Sequence, residues 1–273
     1  MKKIIDFFRS NLRQVGETVL LVLAASLPFF VDLKNKFTAY LQTNTLTPDN
    51  FIWYTAIQNG SWIASIIFFI IMLLILRNAN KDYVMNTLRV YHDYPYAWYV
   101  FCAKILGIKK CDIVLVPIHM QFKLAINGSF EEYPLDPNDY TIVENEADCN
   151  VVRNNLIAET NEINFILEDT YAIEQQQIPV SKRELPTIKI SRNAGKLNGR
   201  HYSSKFIEST VDVVREFNQS IVVNVYATTN PMNTLHVARN AFASADRGNI
   251  KHLYVYQQSN REPRNFLSFY KIY

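Results

Sequence analysis

The side chains best suited to chemistry in this chain gather in four stretches of its second half. Three are rich in hydroxyls and amides, groups that can both donate and accept hydrogen bonds. These are Glu168-Asp169-Thr170-Tyr171, Ala227-Thr228-Thr229-Asn230-Pro231-Met232-Asn233, and Gln257-Gln258-Ser259-Asn260. In the second, Asn230 is a suitable N-cap and Pro231 suits the first position of a helix. The free amides of Asn230 to Asn233 would then carry the partial positive charge that favours a phosphate. Capping alone explains Asn230 but leaves the second threonine without a reason. The fourth stretch is basic. From Glu184 to Glu208 no acidic residue intervenes, while Lys189, Arg192, Lys196, Arg200 and Lys205 occur with His201. Cations without a local counter-charge suggest an anionic partner, and the plain alternative is a solvated loop.

These residue types suit binding better than turnover. No Gly-x-Ser-x-Gly, P-loop, Gly-x-Gly-x-x-Gly or His-Glu-x-x-His motif occurs. Glu168 and Asp169 are adjacent on an expected strand and so point to opposite faces, which disfavours a joint catalytic pair. The three cysteines, Cys102, Cys111 and Cys149, have no metal-ligand spacing, and their odd number suits a reducing compartment. Neither a metal nor a cofactor is expected.

Alternating strand and helix patterns must position these loops. INFILE, PTIKIS, SIVVNVY and IKHLYVYQ read as strands, and NFLSFYKIY alternates as an edge strand should. One helix starts at Ser203 or Ser204 and runs to Phe217, and another starts at Pro231. Short strand–helix repeats imply a mainly parallel sheet, whose ligands sit beyond the carboxyl ends of the strands. That rule brings the hydroxyl- and amide-rich loops to one rim. Upstream, residues 78–107 read as helical with a break at Pro95, and DIVLVPI (112–118) reads as a buried strand. QFKLAI and YTIV are candidate short strands, and Asp246–Asn249 a turn.

The first 77 residues differ in kind. Val15–Leu33 and Ile57–Leu76 are apolar runs of near-spanning length, since about 20 helical residues cross ~30 Å of hydrocarbon. Lys2, Lys3, Arg9 and Arg13 precede the first and Arg77, Lys81 and Arg89 follow the second, so both termini are expected in the cytoplasm. Trp53, Tyr54 and Trp62 suit the outer interface. Residues 1–77 are therefore expected to form a membrane module and 78–273 a cytoplasmic α/β domain. That domain is nearly neutral, and the whole chain carries only +3, which excludes bulk coating of nucleic acid.

The segment VNVYATTNPMNTLHVARNAF followed by IKHLYVYQ resembles the strand–polar loop–helix–strand unit of CARF and SAVED sensor domains, over about residues 163–258. The resemblance implies a Rossmann-like sensor of cyclic oligonucleotides. Two hydrophobic helices ahead of it resemble the membrane effectors of bacterial CBASS and type III CRISPR defence, although the sensor portion is short for a complete SAVED domain. It implies ligand-driven homo-oligomerisation and damage to the bacterial inner membrane, without enzymatic activity. Carried over by position, Thr228, Thr229, Asn230 and Asn233 would contact the ligand, with Asp169, Thr170 and Tyr171 on the opposite wall. Arg192, Lys196 and Arg200 would meet phosphates, and Tyr171, Tyr202 or Tyr226 would stack on a base. Gln257 joins them from the third loop. Two rivals remain open at this level: a partner-binding membrane protein, and a membrane-tethered nucleotide hydrolase using Asp169.

Overall fold

A computed structural model of the chain describes residues 2–32, 35–36, 39, 51–136, 140–142, 149–155, 160–192, 201–217, 220–243, 249–259 and 261–273. It divides into two compact units, Met1–Leu88 with Ala97–Lys110, and Arg89–Tyr96 with Cys111–Tyr273.

The first unit is helical: α1 (Lys2–Ser10), α2 (Leu12–Phe30), α3 (Phe51–Gln58), α4 (Gly60–Ala79) and α5 (Tyr96–Lys104). Two of these, α2 and α4, are long and apolar enough to cross a membrane, and they pack along each other. Their outward surface is almost wholly apolar, with Val22, Leu23, Ile66, Leu74 and Ile75 exposed, a face that water does not favour. Ser65 donates its hydroxyl to the carbonyl of Ala25 across the pair, and Phe29 meets Trp62 edge-on at 5.0 Å. A polar clasp joins the start of α2 to the end of α4. Glu17 accepts from Arg13 Nε at 2.9 Å and from Asn80 Nδ2 at 2.8 Å. Asn80 Nδ2 also donates to the carbonyl of Leu106 at 3.0 Å, and Asn80 Oδ1 accepts from Arg13 Nη2 at 2.9 Å. Arg77 donates to the carbonyls of Lys104 and Ile105. Gly107 is required there, because its φ is +74° and a Cβ would lie 2.8 Å from the Arg77 side chain.

The expected continuation through 94 is not met: α4 ends at Ala79, Asn80 is its C-cap, and the chain then turns, with Asn86 at φ +65°. The Val84–Leu88–Tyr91 spacing is helical only by coincidence.

The second unit is built on one six-stranded sheet. Its strands are β1 (Asn150–Asn154), β2 (Glu162–Glu168), β3 (Thr187–Ser191), β4 (Ile221–Ala227), β5 (Ile250–Gln258) and β6 (Phe266–Lys271), in the spatial order β6-β5-β4-β2-β3-β1. The inner pairs β3–β2, β2–β4 and β4–β5 are parallel, and both edges are antiparallel. Alternation sorts the side chains to two faces. Phe165 packs against Phe217 and Phe242, on the face covered by α6 (Ile118–Ile126), α7 (Ser204–Arg215) and α8 (Pro231–Val237, continued by a π-turn to Phe242). On the other face Ile166, Tyr226 and Tyr256 sit in register and pack with Ile173, Ile178 and Phe266. Each fully buried ring such as Phe165 or Phe206 contributes roughly 1.5–3 kcal/mol.

Two other expectations are corrected. DIVLVPI is a turn, because Asp112 Oδ1 accepts from the Val114 amide at 2.7 Å and Leu115 adopts φ +59°. QFKLAI lies in α6, most of whose residues are buried; a short apolar run buried all round has the same composition as a strand. YTIV does contain a two-residue strand, Thr141–Ile142, paired in parallel with His201–Tyr202. Edge strand β1, mostly exposed, carries no alternating pattern and was not expected. The turn expected at 246–249 lies outside the described residues, except for Asn249.

Candidate functional site: a crevice where the strand order reverses

From β2 the chain passes to β3 on one side and returns to β4 on the other. The carboxyl ends of β2 and β4 therefore open a crevice, the place where open sheets of this kind bind ligands. The two loops above it are stitched together. Thr170 donates its amide to the Thr228 carbonyl at 3.2 Å and its hydroxyl to the same oxygen at 2.6 Å. Thr228 returns its amide to the Leu167 carbonyl at 3.0 Å and its hydroxyl to the Tyr171 carbonyl at 2.8 Å. Beside them is a cavity of about 360 Å³, lined by Thr170, Tyr171, Ala227, Thr228, Thr229, Gln257, Gln258, Ser259 and Arg264, with Tyr91, Val116, Pro117, Ile118 and Gln121. The lining offers hydroxyls, amides and one guanidinium. Burial raises the Tyr171 phenol, with Arg264 opposing, and pushes Tyr91 up to about 12, so both remain neutral donors near pH 7.

Behind this rim lies a buried ionic network. Asp169 is fully buried, and its Oδ2 accepts from the Asn230 amide at 2.9 Å, from Asn230 Nδ2 at 2.8 Å and from Asn233 Nδ2 at 2.9 Å. Its Oδ1 lies 2.9 Å from Nε of Arg192, which is itself only 2% exposed. Both asparagine amides also donate to the His201 carbonyl, and Asn233 Oδ1 accepts from the Ser203 amide. The start of α7, the start of α8 and the end of β2 are thus fastened to one carboxylate. Burial raises the Asp169 pKa, against the opposing pull of Arg192 and the amides. Glu168 points the other way: its oxygens accept from the Ile173 amide at 2.7 Å and the Ser191 hydroxyl at 2.6 Å, and Lys189 pairs with it.

The residues expected to form a site therefore separate by depth. Thr170, Tyr171, Thr228, Thr229 and Gln257 line the cavity. Asp169, Arg192, Asn230 and Asn233 are buried behind it and bonded to each other. Two cations of the basic stretch do have counter-charges, Lys189 on Glu168 and Arg192 on Asp169. These carboxylates come from a neighbouring strand and are far away in sequence. Tyr202 meets the His236 ring edge-on at 5.4 Å, and Tyr226 is fully buried, stacked on Tyr256 at 4.5 Å. That burial removes Tyr226 as a stacking platform. Lys196 and Arg200 lie outside the described residues. Sequence reasoning missed Tyr91, Gln121 and Arg264; only Arg264, as a charge close after the third polar loop, left any signal.

Fold and site together define a chain with two membrane-length apolar helices and an α/β unit whose mostly parallel sheet carries a polar crevice at its strand-order reversal. The chain belongs to the SMODS- and ubiquitin system-associated 2TM effector family (SUa-2TM), whose description fits residues 1–272. No curated protein matches it. Among solved structures it is similar to the Acinetobacter baumannii Cap4 SAVED/CARF-domain containing receptor with the cyclic trinucleotide 2'3'3'-cAAA, at 7% identity and a TM-score of 0.41. That match covers 64% of this chain and 41% of the receptor.

Proposed function

We propose that this chain is a membrane effector of bacterial anti-phage defence, in which a Rossmann-like, CARF/SAVED-like domain at residues 78–273 senses a cyclic oligonucleotide. In this reading the module at residues 1–77 crosses the inner membrane twice with both termini in the cytoplasm. Ligand binding drives homo-oligomerisation, and the assembled helices disrupt the bilayer. The observation that carries the reading is the polar crevice at the carboxyl ends of β2 and β4, in a chain that also holds two membrane-length helices. Its volume is within the range of small-ligand sites. Membership of an effector family supports the output half of the proposal. The lining supports binding over turnover, because its polar groups are hydroxyls, amides and one guanidinium, and Asp169 is locked behind it.

The test uses the full chain in liposomes loaded with a self-quenched dye. Cyclic di- and trinucleotides are titrated by calorimetry, and release is followed in parallel. One ligand is expected to bind and to trigger release in proportion to occupancy. No binding across the panel, or release that ignores the ligand, overturns the reading.

A further inference from the structure

Of the cations expected to meet phosphates, Arg192 is buried on Asp169 and Lys196 and Arg200 lie outside the described residues, while the crevice has a positive charge from an unexpected source. Arg264 lies in the turn between β5 and β6 and is the single charged residue among the described crevice-lining residues. We infer that Arg264 is the residue that grips an anionic group of the ligand, a nucleotide phosphate, with Tyr171 as the platform that positions it. This inference rests on the nucleotide-binding reading above and assigns it a contact.

Three observations support the assignment. First, the turn is built to hold this side chain. Arg264 occupies a left-handed conformation at φ +57°, uncommon for a residue with a Cβ. The turn is braced by Ser259 N to the Asn265 carbonyl at 2.9 Å, Arg264 N to the Arg261 carbonyl at 2.8 Å, and Gln177 Nε2 to the Pro263 carbonyl at 2.9 Å. A strained residue held by its surroundings at a crevice is a reasonable place to look for function. Second, the guanidinium lies over the Tyr171 ring, 5.6 Å from its centroid, and the Tyr171 hydroxyl is anchored on Gln258 Oε1 at 2.8 Å. The ring thus fixes the guanidinium on the rim by cation–π attraction. Third, its counter-charge is weakly held. Glu262 Oε1 sits 2.9 Å from Arg264 Nε, but the two side chains are 77% and 49% exposed. Exposed pairs of this kind add little stability, so a phosphate offering two oxygens to the planar fork can displace the carboxylate.

The contrast with Arg192 is physical. A guanidinium already neutralised in a dry interior has no reason to leave its partner, while a half-exposed one keeps its charge available. The experiment uses the full chain in nanodiscs, titrated by calorimetry with cyclic triadenylate, cyclic diadenylate and cyclic diguanylate. For whichever probe the wild type binds, Arg264→Ala is expected to weaken binding about tenfold or more, the scale of a hydrogen bond to a charged group. Arg264→Lys should recover part of the loss, Arg264→Glu should deepen it, and Glu262→Gln should tighten binding by removing the competitor. Arg261→Ala, in the same turn but outside the crevice, should leave affinity unchanged, and hydrogen exchange in β5 and β6 checks that the variants remain folded. Binding by the wild type with unchanged affinity in Arg264→Ala, or an equal loss in Arg261→Ala, overturns the assignment and leaves the sensor reading standing. No binding of any probe by the wild type overturns both.

Discussion

Replacing Asp169 by Asn tests whether one carboxylate organises the rim. The substitution keeps the shape, and an amide oxygen at the Oδ2 position would preserve the three bonds from Asn230 and Asn233. The new amide nitrogen would then face Nε of Arg192, where the carboxylate oxygen now sits at 2.9 Å. Donor meets donor, and a guanidinium only 2% exposed loses its counter-charge. Breaking a buried pair by removing one partner costs about 3–5 kcal/mol. A domain stable by roughly 5–15 kcal/mol loses a large share of that. Hydrogen exchange by mass spectrometry on the full chain in detergent reads the effect locally, at the amides of β2 and the first turn of α8. Since about 1.4 kcal/mol is a factor of ten, protection there should fall by roughly two to three and a half decades. Adding Arg192→Met should restore much of it, because the stranded charge goes too. A loss under about 1 kcal/mol in the single variant, or no recovery in the double, refutes the view that this ion pair holds the rim.

Other expectations follow from other parts of the molecule. Asn80→Leu removes donors from Glu17 and the Leu106 carbonyl and an acceptor from Arg13; it should cost about 1–3 kcal/mol and lower the detergent-phase melting temperature. Gly107→Ala should destabilise the same unit by about 1 kcal/mol or more, through its positive φ and the 2.8 Å approach to Arg77, seen in the same melts. Burial lowers the pKa of His119, so as pH falls through about 6.5 the unfolded chain takes up the proton first and stability declines. His119→Gln should flatten the decline of urea-unfolding stability below about pH 6.5 only in part, because burial lowers His236 in the same sense.

The central strands β2 and β4 were legible because they are long, apolar and buried on both faces, and the start of α8 because Asn230 and Pro231 mark it chemically. Segments 80–94 and 112–126 were misread for two reasons. In 80–94 and 112–117 the chain turns, with Asn86 and Leu115 at positive φ, so helical or strand periodicity there has no meaning. By contrast 118–126 is a helix whose apolar run is mostly buried and so reads like a strand. The site was legible as to which loops meet and opaque as to depth. Asp169, Arg192, Asn230 and Asn233 look like ligand-binding groups in a sequence, and so does any polar network that closes on itself. Only the three-dimensional pairing of Lys189 and Arg192 with the end of β2 separates the two cases.

That separation bears on how a ligand could act. The inner network fastens β2, α7 and α8 to one carboxylate, so the rim is presented already assembled, and a ligand need not supply the energy to order it. Driving a two-state switch from 1:99 to 99:1 requires about 5.5 kcal/mol of differential affinity. One guanidinium–phosphate contact, at about 1.5–3 kcal/mol, falls short of that. The proposed response therefore needs contributions from several parts of the crevice, or from subunits joining as the ligand binds. A ligand gripped through Arg264 touches the turn leading into β6, an edge strand with Leu267 and Phe269 exposed. Strand β6 is held by its ladder to β5 and by buried Phe266, whereas the turn before it rests on an exposed ion pair and a few turn hydrogen bonds, and the buried carboxylate does not hold it. Movement on binding should thus concentrate in that turn, with β2 and α8 staying fixed.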